Sequence, residues 1–547
     1  MKRKKQILLV TILTALSSVF QLHAQSIQTD VPALKNVFAN DFSIGCLLSY
    51  RHIGFSSDPY VSGQSSVIAP NGGDLINYHM NCMSPGNNMK TAYTVDLTTS
   101  ANAYAKATTQ EEKDSIDTHP VIRFNGDLIA QLNWAKRQRF AFRGHTLVWH
   151  SSAPAAFFRS GYTETGNRLS KEVMTVRMEN YISEVIRIIH ENWPGMFVAI
   201  DVVNEAISDN GGAFRTSGNE WYTTFGDQTY VMKAFELARK YTQLYGETQI
   251  KLYYNDYNTS SSSKADGIVR LCKPIYEAGL LDGIGMQEHN SVSNPTAAAW
   301  VSSYNKFNAV CNEMSVTELD VSTQSGTNTP SDAVLKTQAN QYAMLFKCFV
   351  ERSYRSGRGK IINVSKDGLN DQYTFVTNQS SSLWDTGNQC KPAFYAVVDV
   401  VNNYNKLDSL IKFAKALDSG NYSAYAWEKI TTATTSAEKA LSKNYSASVS
   451  AVDGLANACQ ELETSLSTNY SGIEEWTDLV SIKAYNGNIF LCNLQKGSKI
   501  GIYSLNGSLL TNCTNPTSTI TLNYTSPCII KVINGNKMFV KKLFLHQ

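Results

Sequence analysis

A chain of 547 residues, 43% hydrophobic and 17% charged, exceeds what one core ordinarily supports, at roughly 100–200 residues per domain and about 250 for an α/β barrel; two or three domains are expected. A net charge of +3 over that length, with no basic run beyond the first few residues, excludes a nucleic-acid binder of the usual basic kind. The ten cysteines lie far apart without a Cys-x-x-Cys pair, which argues against a zinc or thioredoxin-type site and against a disulfide-stapled framework; most are expected to be buried free thiols.

The chain opens with the basic residues Lys2 to Lys5, an apolar run from Ile7 to Phe20 and a small residue at Ala24. This pattern reads as a signal peptide over residues 1–24, with a mature chain starting near Gln25 and placed outside the cell or on its outer surface. No later stretch holds 18 uninterrupted apolar residues, so a transmembrane span is not expected.

Residues 25–406 alternate short apolar runs with longer segments of helical period. The strand candidates are Phe42–Leu48, Ile76–Cys82, Phe140–Trp149, Phe197–Asn204, Ile250–Asn255, Gly283–Gln287, Met314–Leu319 and Lys360–Val364. Between them lie helical patterns such as Tyr181, Val185, Ile188 and Ile189, after a helix start near Ser170. Near-continuous apolar strands separated by helices predict an α/β fold, a (β/α)8 TIM barrel with its strands parallel and buried on both faces. Residues 407–472 turn Ala-, Ser- and Lys-rich and predict two or three amphipathic helices, a helical module or spacer. Residues 473–547 hold short strands at Ile489–Cys492, Lys499–Tyr503, Ile520–Leu522, Cys528–Ile533 and Met538–Lys541. Asn-Gly turns at Asn486, Asn506 and Asn534 separate them, which predicts a small C-terminal β-sandwich.

Two glutamates stand in apolar runs, Glu205 at the end of Val198-Ala-Ile-Asp-Val-Val-Asn-Glu205 and Glu318 in Met314-Ser-Val-Thr-Glu-Leu-Asp320. A carboxylate at the end of a buried strand costs desolvation energy unless it is compensated, so the two read as a pair lining a cleft at the C-terminal face of the barrel. Paired carboxylates are what hydrolysis of a glycosidic bond needs. The same barrel face would carry Arg143-Gly-His-Thr-Leu-Val-Trp-His150, Asn255-Asp-Tyr-Asn258 and Gln287-Glu-His289. Amides, imidazoles and an indole converging on two carboxylates suit a sugar, which offers hydroxyls to bond and a ring face to stack on.

Taken in order, Arg143–His150, Asp201-Val-Val-Asn-Glu205, Tyr254-Asn-Asp-Tyr-Asn258, Gly283-Ile-Gly-Met-Gln-Glu-His289 and Thr317-Glu-Leu-Asp320 resemble glycoside hydrolase family 10, with Lys391-Pro-Ala-Phe-Tyr395 similar to the segment that closes its barrel. The resemblance spans about residues 33–402. It implies a retaining endo-β-1,4-xylanase with Glu205 as general acid and base and Glu318 as nucleophile, their carboxyls about 5–5.5 Å apart. It further implies that His289 bonds Glu318 with Asp320 behind it, that Asp201 belongs to the catalytic set, and that Asn204 meets the sugar 2-hydroxyl. Asn87, Lys90, His145, Trp149 and Gln287 would hold sugars on the glycone side, with Asn255, Tyr257 and Phe375 also lining the substrate cleft. Neither metal nor organic cofactor is implied, the partner is xylan or a related β-1,4-linked plant polysaccharide, and a monomer is expected.

Departures from the family pattern bear on the substrate rather than the reaction. Gly86 stands where a sugar-binding glutamate is usual, Ser152 replaces Gln, Ile200 replaces Trp, and Asp367 and Phe375 replace two indoles that roof the glycone site. These leave open a non-hydrolytic glycan-binding barrel, or a glycosidase with shifted specificity for decorated xylans. Residues 407–468 resemble FIVAR-type helical modules. Residues 478–547 resemble the C-terminal sorting domain of the type IX secretion system, notably at Ile502-Tyr-Ser-Leu-Asn-Gly507, which implies secretion machinery as a second partner; a small carbohydrate-binding sandwich is the rival reading.

Overall fold

The computed structural model describes residues 27–53, 65–69, 71–353, 360–445, 450–467 and, with short gaps, 481–543. The expected signal peptide lies outside the described residues, as do the Asn486-Gly487 turn and Asn506. No helix among the described residues is long and apolar enough to cross a membrane.

The first compact unit runs through Ser409 and takes in Lys439–Cys459. Its strands are β1 (Ser43–Leu48), β2 (Cys82–Pro85), β3 (Ala141–Trp149), β4 (Phe197–Asn204), β5 (Lys251–Asp256), β6 (Gly283–Met286), β7 (His289–Ser291), β8 (Glu313–Ser322) and β9 (Ile361–Asp367). Parallel pairing runs from β1 through β2, β3, β4, β5 and β6 to β8 and β9, and β9 returns to β1, so eight strands close the barrel. β7 is a short addition that pairs with the far end of β8, placing His289 opposite Asp320. Closure removes sheet edges, and the runs read as uninterrupted apolar sequence because both faces are covered.

One strand expectation is corrected. Residues 76–79 belong to the helix Gly72–His79, and the second strand starts at Cys82. Leu75, Ile76 and His79 are buried at helical rather than alternating spacing, and Gly72 and Gly73 let this helix press on the backbone of His52 and Ile53, where a Cβ would lie 1.8 Å and 2.6 Å from the carbonyl oxygens. The helix Lys171–Asn192 begins as expected, with the Ser170 hydroxyl accepting the Val173 N–H at 3.3 Å. Its buried stripe is Met174, Met178, Tyr181, Ile182, Val185, Ile186 and Ile189, with Ile188 at the margin.

Beyond the barrel, the helix Pro392–Lys415 runs continuously across the boundary expected after residue 406, and helices follow at Ala424–Ser442 and Ala451–Ser467. The second compact unit, Leu410–Glu438 with Gln460 onward, contains β10 (Ser481–Tyr485), β11 (Asn488–Cys492), β12 (Lys499–Ser504), β13 (Leu509–Thr514), β14 (Thr519–Asn523), β15 (Cys528–Asn534) and β16 (Lys537–Leu543). They form two antiparallel sheets, ordered β10-β11-β14 and β13-β12-β15-β16. Ile489, Leu491, Ile500, Ile502, Ile530 and Val532 from both sheets meet in one buried cluster. β10 and β13 were not anticipated; β13 is exposed almost throughout and so lacks alternating polarity. The nine cysteines whose side chains are described are free, and most are buried.

Candidate active site

Glu205 follows the last residue of β4 with a left-handed backbone, φ 56°, a conformation that costs a non-glycine residue about 1–3 kcal/mol unless its surroundings hold it. They do so from both sides. The Glu205 N–H donates to the Asn255 carbonyl at 2.9 Å, and the Glu205 carbonyl accepts from Arg215 Nε at 2.9 Å. Its carboxylate accepts from Trp149 Nε1 at 2.9 Å, from Gln287 Nε2 at 2.9 Å and from Asn204 Nδ2 at 3.2 Å.

Glu318 lies within β8, reached by His289 of the neighbouring β7 and by Asn255 of β5. Asn255 Nδ2 donates to its Oε1 at 3.0 Å, and His289 Nε2 stands 3.4 Å from its Oε2. The other imidazole nitrogen, Nδ1, is 2.9 Å from Asp320 Oδ2. Burial alone would raise the Glu318 carboxyl, but the His289 hydrogen bond, with the charges of His145, His289 and Lys90, reverses this and holds it at about 2. His289 feels the converse. Burial lowers its pKa, yet bonds to Asp320 and Glu318 outweigh it and keep the imidazole protonated well above its ordinary range. Asp320, pushed up to about 6 by burial and held down by His289, is the weaker acid of the two carboxylates.

The two glutamates are joined by amides. Asn204 Oδ1 accepts from Asn255 Nδ2 at 3.0 Å and from Gln287 Nε2 at 3.2 Å, so each carboxylate shares a donor with the same asparagine. Asn255 is fully buried and its Oδ1 accepts from Thr317 Oγ1 at 2.8 Å, which leaves neither of its N–H donors for a sugar. Asp201 is likewise a support beneath the cleft: Arg143 Nη2 donates to its Oδ1 at 2.6 Å, and His145 Nδ1 lies 3.0 Å from its Oδ2. Asn87 Oδ1 accepts from Lys90 Nζ at 2.7 Å, and that ammonium stands 4.4 Å from the Trp149 ring. Burial lowers the Lys90 pKa, opposed by the charges of Glu318, Glu205 and Asp367.

Tyr257 is set apart from these groups. Its hydroxyl donates to Asp209 Oδ2 at 2.6 Å and accepts from Arg215 Nη2 at 3.0 Å, while Lys264 Nζ lies 3.4 Å from its ring. Lys264, 1% exposed, pairs with Asp256 at 3.0 Å and Asp209 at 2.9 Å. Burial raises Asp256 to about 7 even with that ammonium beside it. Phe375 is 78% exposed, with its ring centroid 5.5 Å from that of His289.

Sequence reading overlooked Arg215, Lys264 and Asp256, which hold the Glu205 loop. Asp256 lies inside Tyr254-Asn-Asp-Tyr-Asn258 and Lys264 is in the first turn of the helix Ser262–Glu277, but Arg215 is one arginine in a loop and carries no local signal. His150, 3.9 Å from Glu205 through its Nδ1, also stood in a quoted motif; burial and then Arg215 push its pKa down to about 4, against the pull of Glu205. Of the departures, Asp367 is buried at the end of β9, Ile200 is buried within β4, and Gly86 has room for a Cβ at ordinary contact distance.

The family model for glycosyl hydrolase family 10 matches residues 33–400. The chain is 32% identical over 384 residues to endo-1,4-β-xylanase Y of Acetivibrio thermocellus, covering 67% of this chain and 32% of the relative. It is 29% identical over 362 residues to the bifunctional endo-1,4-β-xylanase XylA of Ruminococcus flavefaciens, covering 66% of this chain and 34% of that one. It thus spans about a third of the length of these curated relatives. Among solved structures, it is similar to the N-terminal endo-1,4-β-D-xylanase 10B of Clostridium thermocellum, whose CBM22-1 and GH10 modules were solved with xylohexaose, at TM-score 0.56 and 31% identity over 67% of each chain. The intracellular xylanase TsXylA of Thermoanaerobacterium saccharolyticum, a mutant solved with xylotriose, matches at TM-score 0.54 and 25% identity over 68% of this chain and 100% of that one. With eight parallel strands closed into a barrel and the matched region covering it, the chain belongs to glycosyl hydrolase family 10.

Proposed function

We propose that the protein is a retaining endo-1,4-β-xylanase acting on xylan by double displacement. The observation that carries the reading is the pair Glu205, just after β4, and Glu318, within β8, coupled through Gln287, Asn204 and Asn255 and held in unequal environments. Relatives named endo-1,4-β-xylanase support the substrate class.

In the first step a Glu318 carboxylate oxygen attacks the anomeric carbon while the glycosidic C–O bond breaks and Glu205 gives its proton to the departing oxygen. His289, charged and bonded to Asp320, keeps Glu318 ionised for that attack. In the second step Glu205, now a carboxylate, takes a proton from water whose oxygen attacks the same carbon and releases Glu318. Two inversions give net retention. Asn204, with one N–H still unspent, meets the sugar 2-hydroxyl; Lys90, His145, Trp149 and Gln287 face the glycone side.

Incubation with a 2-fluoro-xylobioside and peptide mass mapping tests the assignment: the label is expected on Glu318, and Glu205→Ala is expected to abolish turnover of xylan. Label elsewhere, or undiminished turnover in Glu205→Ala, would overturn it. Asp367 and Phe375 in place of two indoles favour a second reading within the same chemistry, a preference for decorated xylans, which reducing-end release across a polysaccharide panel decides. For localisation we propose export by the N-terminal signal and type IX sorting through the C-terminal domain. Intact mass of the exported protein is expected to lack the residues after about Gly472; a full-length exported chain would refute this.

A further inference from the structure

The loop after β9 is built around a buried carboxylate bonded to the loop's own far end. Asp367 is buried, and its Oδ2 accepts two hydrogen bonds from the far end of the loop, the Phe375 N–H at 2.5 Å and Thr374 Oγ1 at 2.8 Å. The intervening residues are equally constrained. Gly368 has φ 59° and approaches the Tyr373 carbonyl so closely that a Cβ would lie 2.0 Å from its oxygen, and the Leu369 N–H donates to that same carbonyl at 2.7 Å. Lys366 Nζ, itself buried, donates to the Asp367 carbonyl at 2.7 Å and to the Gly368 carbonyl at 2.5 Å. Tyr373 is tied across to the Ile68 carbonyl at 2.7 Å.

All this order ends in one exposed apolar ring. Phe375 is 78% exposed, yet its backbone is pinned, and its ring lies 5.5 Å from the imidazole that contacts Glu318. A phenyl group left in water at the edge of a cleft has no folding benefit from its exposure, whereas a sugar ring face laid on it would cover it. We propose that Asp367 is a positioning residue, a clasp that presents Phe375 as the stacking platform for the sugar chain beside Glu318. A buried carboxylate thereby does by loop anchoring what an indole at its own position would do by contact. The inference rests on the proposed function for its ligand class, but not on turnover.

The test measures xylotetraose affinity by calorimetry in a Glu318→Gln background, so that binding is read without hydrolysis. Phe375→Ala and Asp367→Ala are each expected to weaken binding about fivefold, the scale of one lost aromatic contact. The double variant Asp367→Ala/Phe375→Ala is expected to be no weaker than Phe375→Ala, because the clasp acts through the ring. Asp367→Asn, whose amide oxygen can accept both bonds, is expected to bind like its parent. Multiplying losses in the double variant, or an Asp367→Asn as weak as Asp367→Ala, would overturn the clasp and assign the effect to charge. Thr374→Ala, which removes one of the two bonds and leaves the carboxylate in place, serves where Asp367→Ala does not fold; about a twofold loss is expected and unchanged affinity counts against the proposal. A wild-type protein that binds xylotetraose but releases no reducing ends from xylan would instead overturn the proposed function and leave the clasp standing.

Discussion

Replacing His289 by alanine should move the acid limb of activity upward. In the structure the Glu318 carboxyl is held at about 2 instead of its ordinary 4.5, a difference worth about 3 kcal/mol in favour of the ionised form. Burial opposes that ionisation, and the His289 hydrogen bond is the largest contribution against it. With the imidazole gone, burial is resisted mainly by His145 and Lys90, and Asp320, already near 6, takes up a proton and goes silent. The sign follows from the direction of the shift. A carboxyl depressed in the folded state contributes stability that is complete above its unfolded value and is lost as pH falls from about 4.5 through about 2. In His289→Ala that contribution shrinks, and the nucleophile is protonated at a pH where the wild type still has it ionised. The assay is kcat/KM against pH with a chromogenic xylobioside, since its acid limb reports ionisation in the free enzyme. We expect the limb to rise by about two pH units or more, with a plateau loss of about 10- to 100-fold from the missing charged hydrogen bond. An acid limb left where it was in the wild type would refute the coupling between the imidazole and Glu318.

Arg215→Ala frees the Glu205 carbonyl and with it the left-handed backbone; kcat/KM for xylobiosides with poor leaving groups should fall about tenfold or more, while kcat/KM for 2,4-dinitrophenyl xylobioside, whose first step needs no acid, should be nearly unaffected and only its kcat, limited by the base-dependent second step, should drop. Asn255→Ala removes the donor to Glu318 and the link to Asn204, so kcat should drop about 10- to 100-fold with KM little changed; a loss confined to KM would make Asn255 a sugar contact instead. Lys264→Met leaves Asp256 without its buried partner and should cost about 3–5 kcal/mol in urea unfolding at pH 8. The cost should shrink at pH 5, where Asp256, already raised to about 7, is neutral; equal losses at both values would contradict the assignment.

The sequence carried the barrel because its strands are covered on both faces and their helices are periodic, so seven of the expected strand positions fall on observed strands with ends shifted by a few residues. Ile76–Cys82 failed for a tertiary reason: glycines at 72 and 73 allow a helix to pack on the backbone of residues 52 and 53, and no local pattern announces that contact. The polar residues at the strand ends were legible because polar groups interrupting apolar runs demand partners. Their division of labour was not. The resemblance puts Asn255 among the substrate contacts and Asp201 in the catalytic set, but both N–H donors of Asn255 go to Asn204 and Glu318 and both oxygens of Asp201 are engaged by Arg143 and His145, partnerships that depend on the tertiary arrangement of the strands.

The environments of the two glutamates differ in a way that matches what each must do. Glu318 sits on a continuous strand, bonded by a buried amide and by a charged imidazole, so it has little freedom and little tendency to take up a proton. A nucleophile needs both properties, since attack at the anomeric carbon rewards position and an ionised oxygen. Glu205 lies one residue beyond its strand, in a loop turned by a left-handed residue, with neutral donors from Trp149, Gln287 and Asn204. Neutral donors hold the carboxyl in place through hydrogen bonds alone, without an ion pair to a cation at its oxygens. Arg215 is the nearest exception, and it spends its Nε on the Glu205 carbonyl and an Nη on Tyr257, not on the carboxylate. The loop therefore gains a cation's hold on its backbone while the carboxylate oxygens of Glu205 take their hydrogen bonds from an indole and two amides, and exchanging Gln287 for lysine should damage the first, acid-dependent step more than the second, read as a larger loss of kcat/KM with xylobiosides of poor leaving groups than with 2,4-dinitrophenyl xylobioside; equal losses with both would refute this.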